Sequence, residues 1–374
     1  MKIVIAPDSF KGSLSADQVS LAMEEGIHAA VKGAETIRIP VADGGEGTID
    51  ALGKWVSREV PVQVKGPTGE KVDTSFVELP YEGKVVTFIE CARSTGLTLV
   101  PSDQRKPFLL NSFGLGEQIR AAIEKGSRNL FISLGGSATT DGGTGLLQAL
   151  GYRFFDEKGE RLPEDRNVLT EIADMDDRDV LPELEDCKLT IASDVTNPFY
   201  GEKGAAHVYG PQKGANQEDV LLLDQGLEKF AEAVRGYSGI DLQEIPGAGA
   251  AGGLGGALAG VLHATMKSGF RVVADLVKLD EMIAGADLVL TGEGSLDAQS
   301  ADGKVPVSVG KIADKHDVPA VAVAGAVETE GDYTPLTAVF SIQPGPCSLE
   351  QAVEAETAYN NIVHITKQVV RLRK

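Results

Sequence analysis

Carboxylates and glycines crowd together in this chain in Asp43-Gly44-Gly45-Glu46-Gly47, in Gly135-Gly136-Ser137 running into Asp141-Gly142-Gly143, in Gly247 to Gly256, and in Gly292-Glu293-Gly294-Ser295-Leu296-Asp297. The third of these is glycine-rich without an acid of its own. Glycine inside a strand or helix lowers stability, so its concentration beside acids points to backbone that curls tightly around a ligand such as a phosphate with its metal. Phosphoryl transfer is the chemistry this pattern suggests.

Five acid-bearing segments stand where strands are expected to end. Pro7-Asp8-Ser9-Phe10-Lys11-Gly12-Ser13 follows the first strand, and open α/β sheets bind ligands at the carboxyl ends of their strands. Asp8 suits a metal or a proton, Ser9 a phosphate, and Lys11 a phosphate or carboxylate as a point charge. Asp43 and Glu46 repeat the arrangement after the second strand. The loop Gly135-Gly136-Ser137 lies between an apolar strand and a helix, where free N–H groups and the helix dipole favour an anion. Asp194 in Ala192-Ser193-Asp194-Val195-Thr196-Asn197-Pro198 and Glu293 with Asp297 complete the set. Five such ends point to one shared cleft.

Gly247-Ala248-Gly249-Ala250-Ala251-Gly252 matches GxGxxG, with Asp275 at a tolerable distance for a ribose contact. The preceding Asp241 to Pro246 reads poorly as a buried strand, so phosphate cradling and close packing through small residues compete with a nicotinamide nucleotide site. GxxxxGK[ST], HRD, DFG, GxSxG and HExxH are all absent, and His28, His207, His263, His316 and His364 are scattered. A nucleotide-using enzyme of this kind belongs to a separate lineage.

The elements that must hold these residues follow from periodicity. Lys2 to Ala6 reads as a buried strand, Ser15 to Val31 as an amphipathic helix capped by Ser15, and Thr36 to Val41 as a second strand. From Ser57 to Val100 short alternating runs separated by Pro67-Thr68-Gly69 and Glu82-Gly83 predict antiparallel strands. Helix–strand alternation then resumes and continues to a closing helix from Leu349 to about Leu372, with strands at Ala286 to Thr291, Ala320 to Ala324 and Ala338 to Ile342. The expected fold class is α/β in two domains. Residues 1–60 with 288–374 form a Rossmann-like domain built from both chain ends, and 61–287 an inserted α/β domain with an antiparallel start.

Composition narrows the partners. A chain of 374 residues with 42% apolar content has material for two cores and a cleft. Its formal charge of −20 repels nucleic acid and anionic lipid, and equally an anionic substrate, which must then be met by local Lys, Arg, cation or backbone N–H groups. Cys91, Cys187 and Cys347 are far apart and show no CxxC spacing, which fits a reduced compartment. Met1-Lys2 runs directly into Ile3-Val4-Ile5 without a signal-peptide pattern, and Gly247 to Leu262 is too short to span a bilayer. A soluble cytoplasmic protein is expected.

Taken in order, APDSFKGSLSA (Ala6 to Ala16), PVADGGEGT (Pro40 to Thr48), LGGSATTDGG (Leu134 to Gly143), ASDVTNPF (Ala192 to Phe199), GPQKGA (Gly210 to Ala215), PGAGAAGGLG (Pro246 to Gly255) and TGEGSLDAQS (Thr291 to Ser300) resemble the type 1 glycerate kinases from end to end. The resemblance implies ATP-dependent phosphorylation of D-glycerate to a phosphoglycerate, 2-phosphoglycerate by preference, with the active site between two α/β domains. Leu115 and Ser295 depart from the Thr and Arg common in that family, which leaves the reaction class intact.

Under this resemblance Asp194 or Asp43 accepts the hydroxyl proton and Lys11 neutralises phosphate charge. One or two of Asp8, Glu46, Glu293 and Asp297 hold Mg²⁺. Arg93, Arg105 or Lys213 meets the glycerate carboxylate, and the loops at Gly135 and Gly249 offer N–H groups to the nucleotide. The resemblance leaves room for a homo-oligomer. A kinase for another small hydroxy acid, a non-catalytic ATP-sensing protein and an NAD oxidoreductase are the alternatives.

Overall fold

The structure is a computed structural model that describes residues 1–164, 166–297 and 304–372. In chain order its strands are β1 (Lys2–Ile5), β2 (Glu35–Arg38), β3 (Arg58–Lys65), β4 (Lys71–Tyr81), β5 (Lys84–Glu90), β6 (Asn129–Ser133) and β7 (Arg153–Phe155). They continue with β8 (Asp174–Asp176), β9 (Lys188–Ala192), β10 (Thr265–Lys267), β11 (Leu288–Leu296), β12 (Ala320–Val327) and β13 (Ala338–Ser341). The chain divides into two compact units, one of Met1–Asp43, Gly47–Trp55 and Phe270–Lys374, the other of Gly44–Glu46 and Val56–Gly269. The fold is α/β throughout.

Unit 1 is built on a wholly parallel sheet in the spatial order β13-β12-β11-β1-β2. Numbered within the unit, that is 2-1-3-4-5, a doubly wound order whose topological switch point falls between β1 and β11. Parallel sheets are covered on both faces and read as continuous apolar runs, and Ile3, Val4 and Ile5 are accordingly buried without alternation. Ile3, Ile5, Met23, Ile27, Ile362 and Val370 belong to one core cluster. Ser15 begins helix Ala16–Ala30 with a capping box, its hydroxyl accepting from the Gln18 N–H at 3.3 Å while its own N–H donates to Gln18 Oε1 at 2.9 Å.

Two elements of this unit differ from the periodicity reading. The strand expected to stop at Thr291 runs on to Leu296, because its backbone stays paired with β12 as far as Leu296 opposite Val327. Gly292, Glu293 and Ser295 are therefore strand residues and not a loop. The closing helix is two helices, Leu349–Val353 and Ala355–Arg371. Glu354 leaves the helical region at φ −61°, ψ 126°, and its carboxylate caps the second helix by accepting from the Glu356 and Thr357 N–H groups at 3.0 and 2.7 Å.

Unit 2 carries a six-stranded sheet in the order β10-β9-β6-β5-β4-β3. Its β3-β4-β5 portion is antiparallel, as the alternating runs predict, and β5, β6, β9 and β10 are parallel. Phe154 and Phe199 both pack on Phe230, with ring centroids 5.7 and 6.0 Å away, at the heart of the main core.

The GxGxxG segment follows the short turn Leu242–Glu244 and no strand, which removes the context a dinucleotide fingerprint needs. Instead Gly252, at φ +76°, lies so close to the Thr139 carbonyl oxygen that a Cβ would collide with it, and its own carbonyl accepts from the Gly142 N–H at 3.0 Å. This is close packing through small residues. Gly252→Ala is expected to cost at least about 3 kcal/mol in urea unfolding, since both backbone conformation and space forbid the methyl. Gly201→Ala, at φ +91° with open space around it, should cost only about 1 kcal/mol. Equal costs at the two positions would show that the loops do not meet.

Candidate active site

In unit 1 the backbone pairing of β1 continues past the strand end, with the Asp8 N–H donating to the Gly292 carbonyl at 2.8 Å and the Val41 N–H to the Pro7 carbonyl at 3.0 Å. That places Asp8 at the switch point beside Glu293, and both are largely buried, 7% and 8% exposed. Lys11 tops a tight loop closed by the Phe10 N–H on the Leu14 carbonyl at 2.8 Å, and its Nζ lies 3.4 Å from Asp43 Oδ2. Lys304 ties the next pair together, with Nζ 2.8 Å from Asp297 Oδ2 and 3.9 Å from Glu293 Oε1. A pocket of about 480 Å³ is lined by Asp8, Ser9, Lys11, Asp43, Glu293 and Lys304 among others.

Electrostatics make this a strained cluster. Burial, and then the neighbouring Asp43 charge, push the Asp8 carboxyl up to about 7, against the opposing pull of the Ser9 N–H at 2.6 Å and of Lys11. Asp43 in turn raises Lys11 above its ordinary value, burial opposing. Four carboxylates face two ammonium groups here, an arrangement that attracts further positive charge. Among the described residues no three His, Cys, Asp or Glu side chains are grouped to hold a metal by themselves.

Unit 2 carries the remaining candidates. Gly135 sits so close to Gly45 that a Cβ on it would lie 2.5 Å from the Gly45 Cα, and one on Gly136 would lie 3.3 Å from Glu46 Oε2. The two glycine-rich loops thus meet, and Glu46 stands over Gly136. Ser137 accepts a hydrogen bond from Lys213 Nζ at 2.8 Å, and the Thr139 carbonyl accepts a second at 2.7 Å. Lys213 is 3% exposed, and burial lowers its ammonium to about 8. It braces the loop after β6 and keeps one donor beyond those two bonds.

The Gly249 N–H, expected to face a nucleotide, donates to the Asn197 carbonyl at 3.0 Å. Arg93 reaches Ser75 Oγ at 3.1 Å, Glu59 at 3.4 Å and the buried Glu90 at 4.0 Å, and Arg105 reaches the carbonyls of Val100 and Leu97 at 3.2 and 3.5 Å. Asp141 accepts from the Ser112 N–H and hydroxyl, both at 2.8 Å, and from the N–H groups of Gly143 and Gly145 at 3.1 and 3.2 Å, which makes it a loop anchor. Asp194 is exposed just beyond β9.

The structure therefore gathers Asp8, Ser9, Lys11, Asp43, Glu293 and Asp297 in unit 1, and Glu46 with Gly135 and Gly136, and Ser137 with Lys213, in unit 2. Lys304 escaped the sequence reading. Its signal was a lysine at the very start of helix Val305–Asp314, where the helix dipole disfavours a cation and only nearby acids offset it. The last three residues of the TGEGSLDAQS motif, Ala298 to Ser300, lie outside the described residues.

A family model described as the glycerate kinase family matches residues 3–374. Among curated relatives, the Escherichia coli K12 protein named glycerate 2-kinase is 41% identical over 373 residues, covering 99% of this chain and 97% of its own. The Bacillus subtilis 168 glycerate kinase is 41% identical over 363 residues, with 96% and 94% covered. A crystal structure from Salmonella typhimurium LT2, provisionally assigned as a glycerate kinase 2, superposes with a TM-score of 0.85 at 39% identity and covers 100% of this chain and 98% of that one.

Proposed function

Since the chain belongs to the glycerate kinase family, we propose that it transfers the terminal phosphoryl group of ATP to D-glycerate, at the C2 hydroxyl, in a magnesium-dependent reaction. One observation carries the assignment of the phosphate site: Asp8 and Glu293 stand at the switch point of a doubly wound sheet with Lys11 and Lys304 beside them. Phosphoryl transfer asks for positioning and charge stabilisation, and a protein of charge −20 needs these local cations to admit a triphosphate.

The donor set fits Mg²⁺, which takes one or two carboxylates and completes its shell with water and phosphate oxygens and so needs no three-carboxylate cage. Asp8, crowded by Asp43, and Glu293 are the residues that would hold it, with Asp297 and Glu46 as further acids near their respective loops. When bound, the ion neutralises charge on the phosphates.

Lys11 and Lys304 meet the phosphate oxygens, each already held near its position by an acid. Asp194, or Asp43 in its place, takes the proton of the glycerate hydroxyl. The third donor of Lys213 offers a contact for the substrate carboxylate, while Arg93 and Arg105 shape the loops around it. Free thiols at Cys91, Cys187 and Cys347 fit a reducing cytoplasm, and among the described residues no helix is long and apolar enough to cross a membrane.

The test is ADP release coupled to ATP and D-glycerate, with lactate, tartronate and glycolate as parallel acceptors, and phosphorus NMR of the product. Glycerate should be the preferred acceptor. A phosphorus doublet, from the single C2 proton, is expected; a triplet would place the phosphate on the C3 methylene. No acceptor-dependent ADP with any of the four acids would overturn the kinase reading.

A further inference from the structure

The unit 1 pocket changes character along the sheet. Asp43 and Asp8 line it beyond the ends of β2 and β1, Glu293 from within β11, Gly325 and Ala326 of β12 follow, and Ile342, Leu349 and Val353 close it beyond β13. Strands lie about 4.8 Å apart, so three steps from β1 to β13 separate Asp8 from Ile342 by about 14 Å. That is the reach of a triphosphate with its ribose. The volume of about 480 Å³ is that of a site for a drug-sized ligand, and a three-carbon acid would leave most of it empty. Small residues floor the middle.

The far end is apolar and open. Leu349 is 79% exposed and Val353 37% exposed on the short helix Leu349–Val353 beside the buried Ile342. Apolar side chains grouped at the mouth of a pocket that is charged at its other end suit a flat ring whose polar substituents face water. Resting on the ATP-dependent reading above, we propose that Ile342, Leu349 and Val353 seat the purine base of ATP, with its phosphates directed to Asp8, Lys11 and Lys304. The base is held by contact with its face, and the phosphates by charge.

The experiment compares two ligands that share phosphates and differ in the base. Dissociation constants of ATP and of inorganic tripolyphosphate, both with magnesium, are measured by calorimetry for the wild-type protein, Leu349→Asp and Val353→Asp. ATP should bind at least tenfold more weakly to each variant, about 1.4 kcal/mol, while tripolyphosphate stays within twofold. ATP affinity unchanged within twofold in both variants overturns the seat, and so does parallel weakening of both ligands. The two readings fail separately: a wild-type protein that binds ATP, loses it in the variants and phosphorylates no acid sinks the kinase assignment and supports the seat.

Discussion

Asp8→Asn should make the protein more stable at pH 8 in chelator-treated buffer, by on the order of 2 kcal/mol, while removing at least about a hundredfold of turnover. The stability side follows from proton linkage. Asp8 is raised in the folded state from its ordinary value of 3.8 to about 7, chiefly by burial, so the fold binds its proton more tightly than the unfolded chain does. Its stabilising contribution is therefore complete below pH 3.8 and is lost as pH rises through about 7. Above that, the wild type keeps a buried charge next to Asp43, and the amide does not. The amide oxygen still accepts the Ser9 N–H that now meets Asp8 Oδ1 at 2.6 Å. Denaturation at pH 5 and pH 8 with EDTA measures the difference, which should widen towards pH 8 and shrink when magnesium is added. Equal stabilities at pH 8 would mean that the two carboxylates do not oppose one another.

Asp194→Ala is expected to lower kcat at least about a hundredfold, the usual size of a lost general base, with an unchanged unfolding midpoint. The residue is exposed just after β9, outside the cores of both sheets, so truncation leaves the packing alone. The KM for ATP should hold within about threefold, because a base acts on the acceptor hydroxyl in the transition state and leaves ground-state nucleotide binding untouched. Asp43→Ala would behave differently. It strips Lys11 of the acid 3.4 Å away and removes the charge that raises Asp8, so ATP affinity and the pH profile should move with it. Near-normal kcat in Asp194→Ala would exclude it as the base.

Much of the framework was readable because local chemistry and tertiary structure agree. Ile3-Val4-Ile5 is apolar on both faces since its sheet is covered twice, Ser15 and Gln18 cap each other at sequence spacing, and Glu82-Gly83 turns between β4 and β5 as such dipeptides do. The misreadings arise where distant chain, or a single local cap, decides. Gly292 to Leu296 looks like a loop until β12 pairs with it, and the break at Glu354 depends on a carboxylate turning back on its own helix. In the site, acid and lysine types were legible, but their partners were not. Lys213 reads as a cation awaiting an anion, yet Ser137 and Thr139 already accept from it. Gly249 reads as an open N–H donor, yet Asn197 accepts it. Lys304 needed the fold to bring Asp297 and Glu293 to it.

The adjacency of β1 and β11 bears on biosynthesis. Thr291 Oγ1 donates to the Ala6 carbonyl across 285 residues of chain. At about 5–20 residues per second, a ribosome takes roughly 15–60 s to make that stretch. Throughout this interval the emerging polypeptide carries Asp8 and Lys11 with β2 available on one side of β1 but no β11 on the other, and residues 56–269 are all translated before β11 exists. The pocket at Asp8 and Glu293 is thus among the last features to mature, and a chain released before β11 would own its N-terminal acids without the pocket that gathers them.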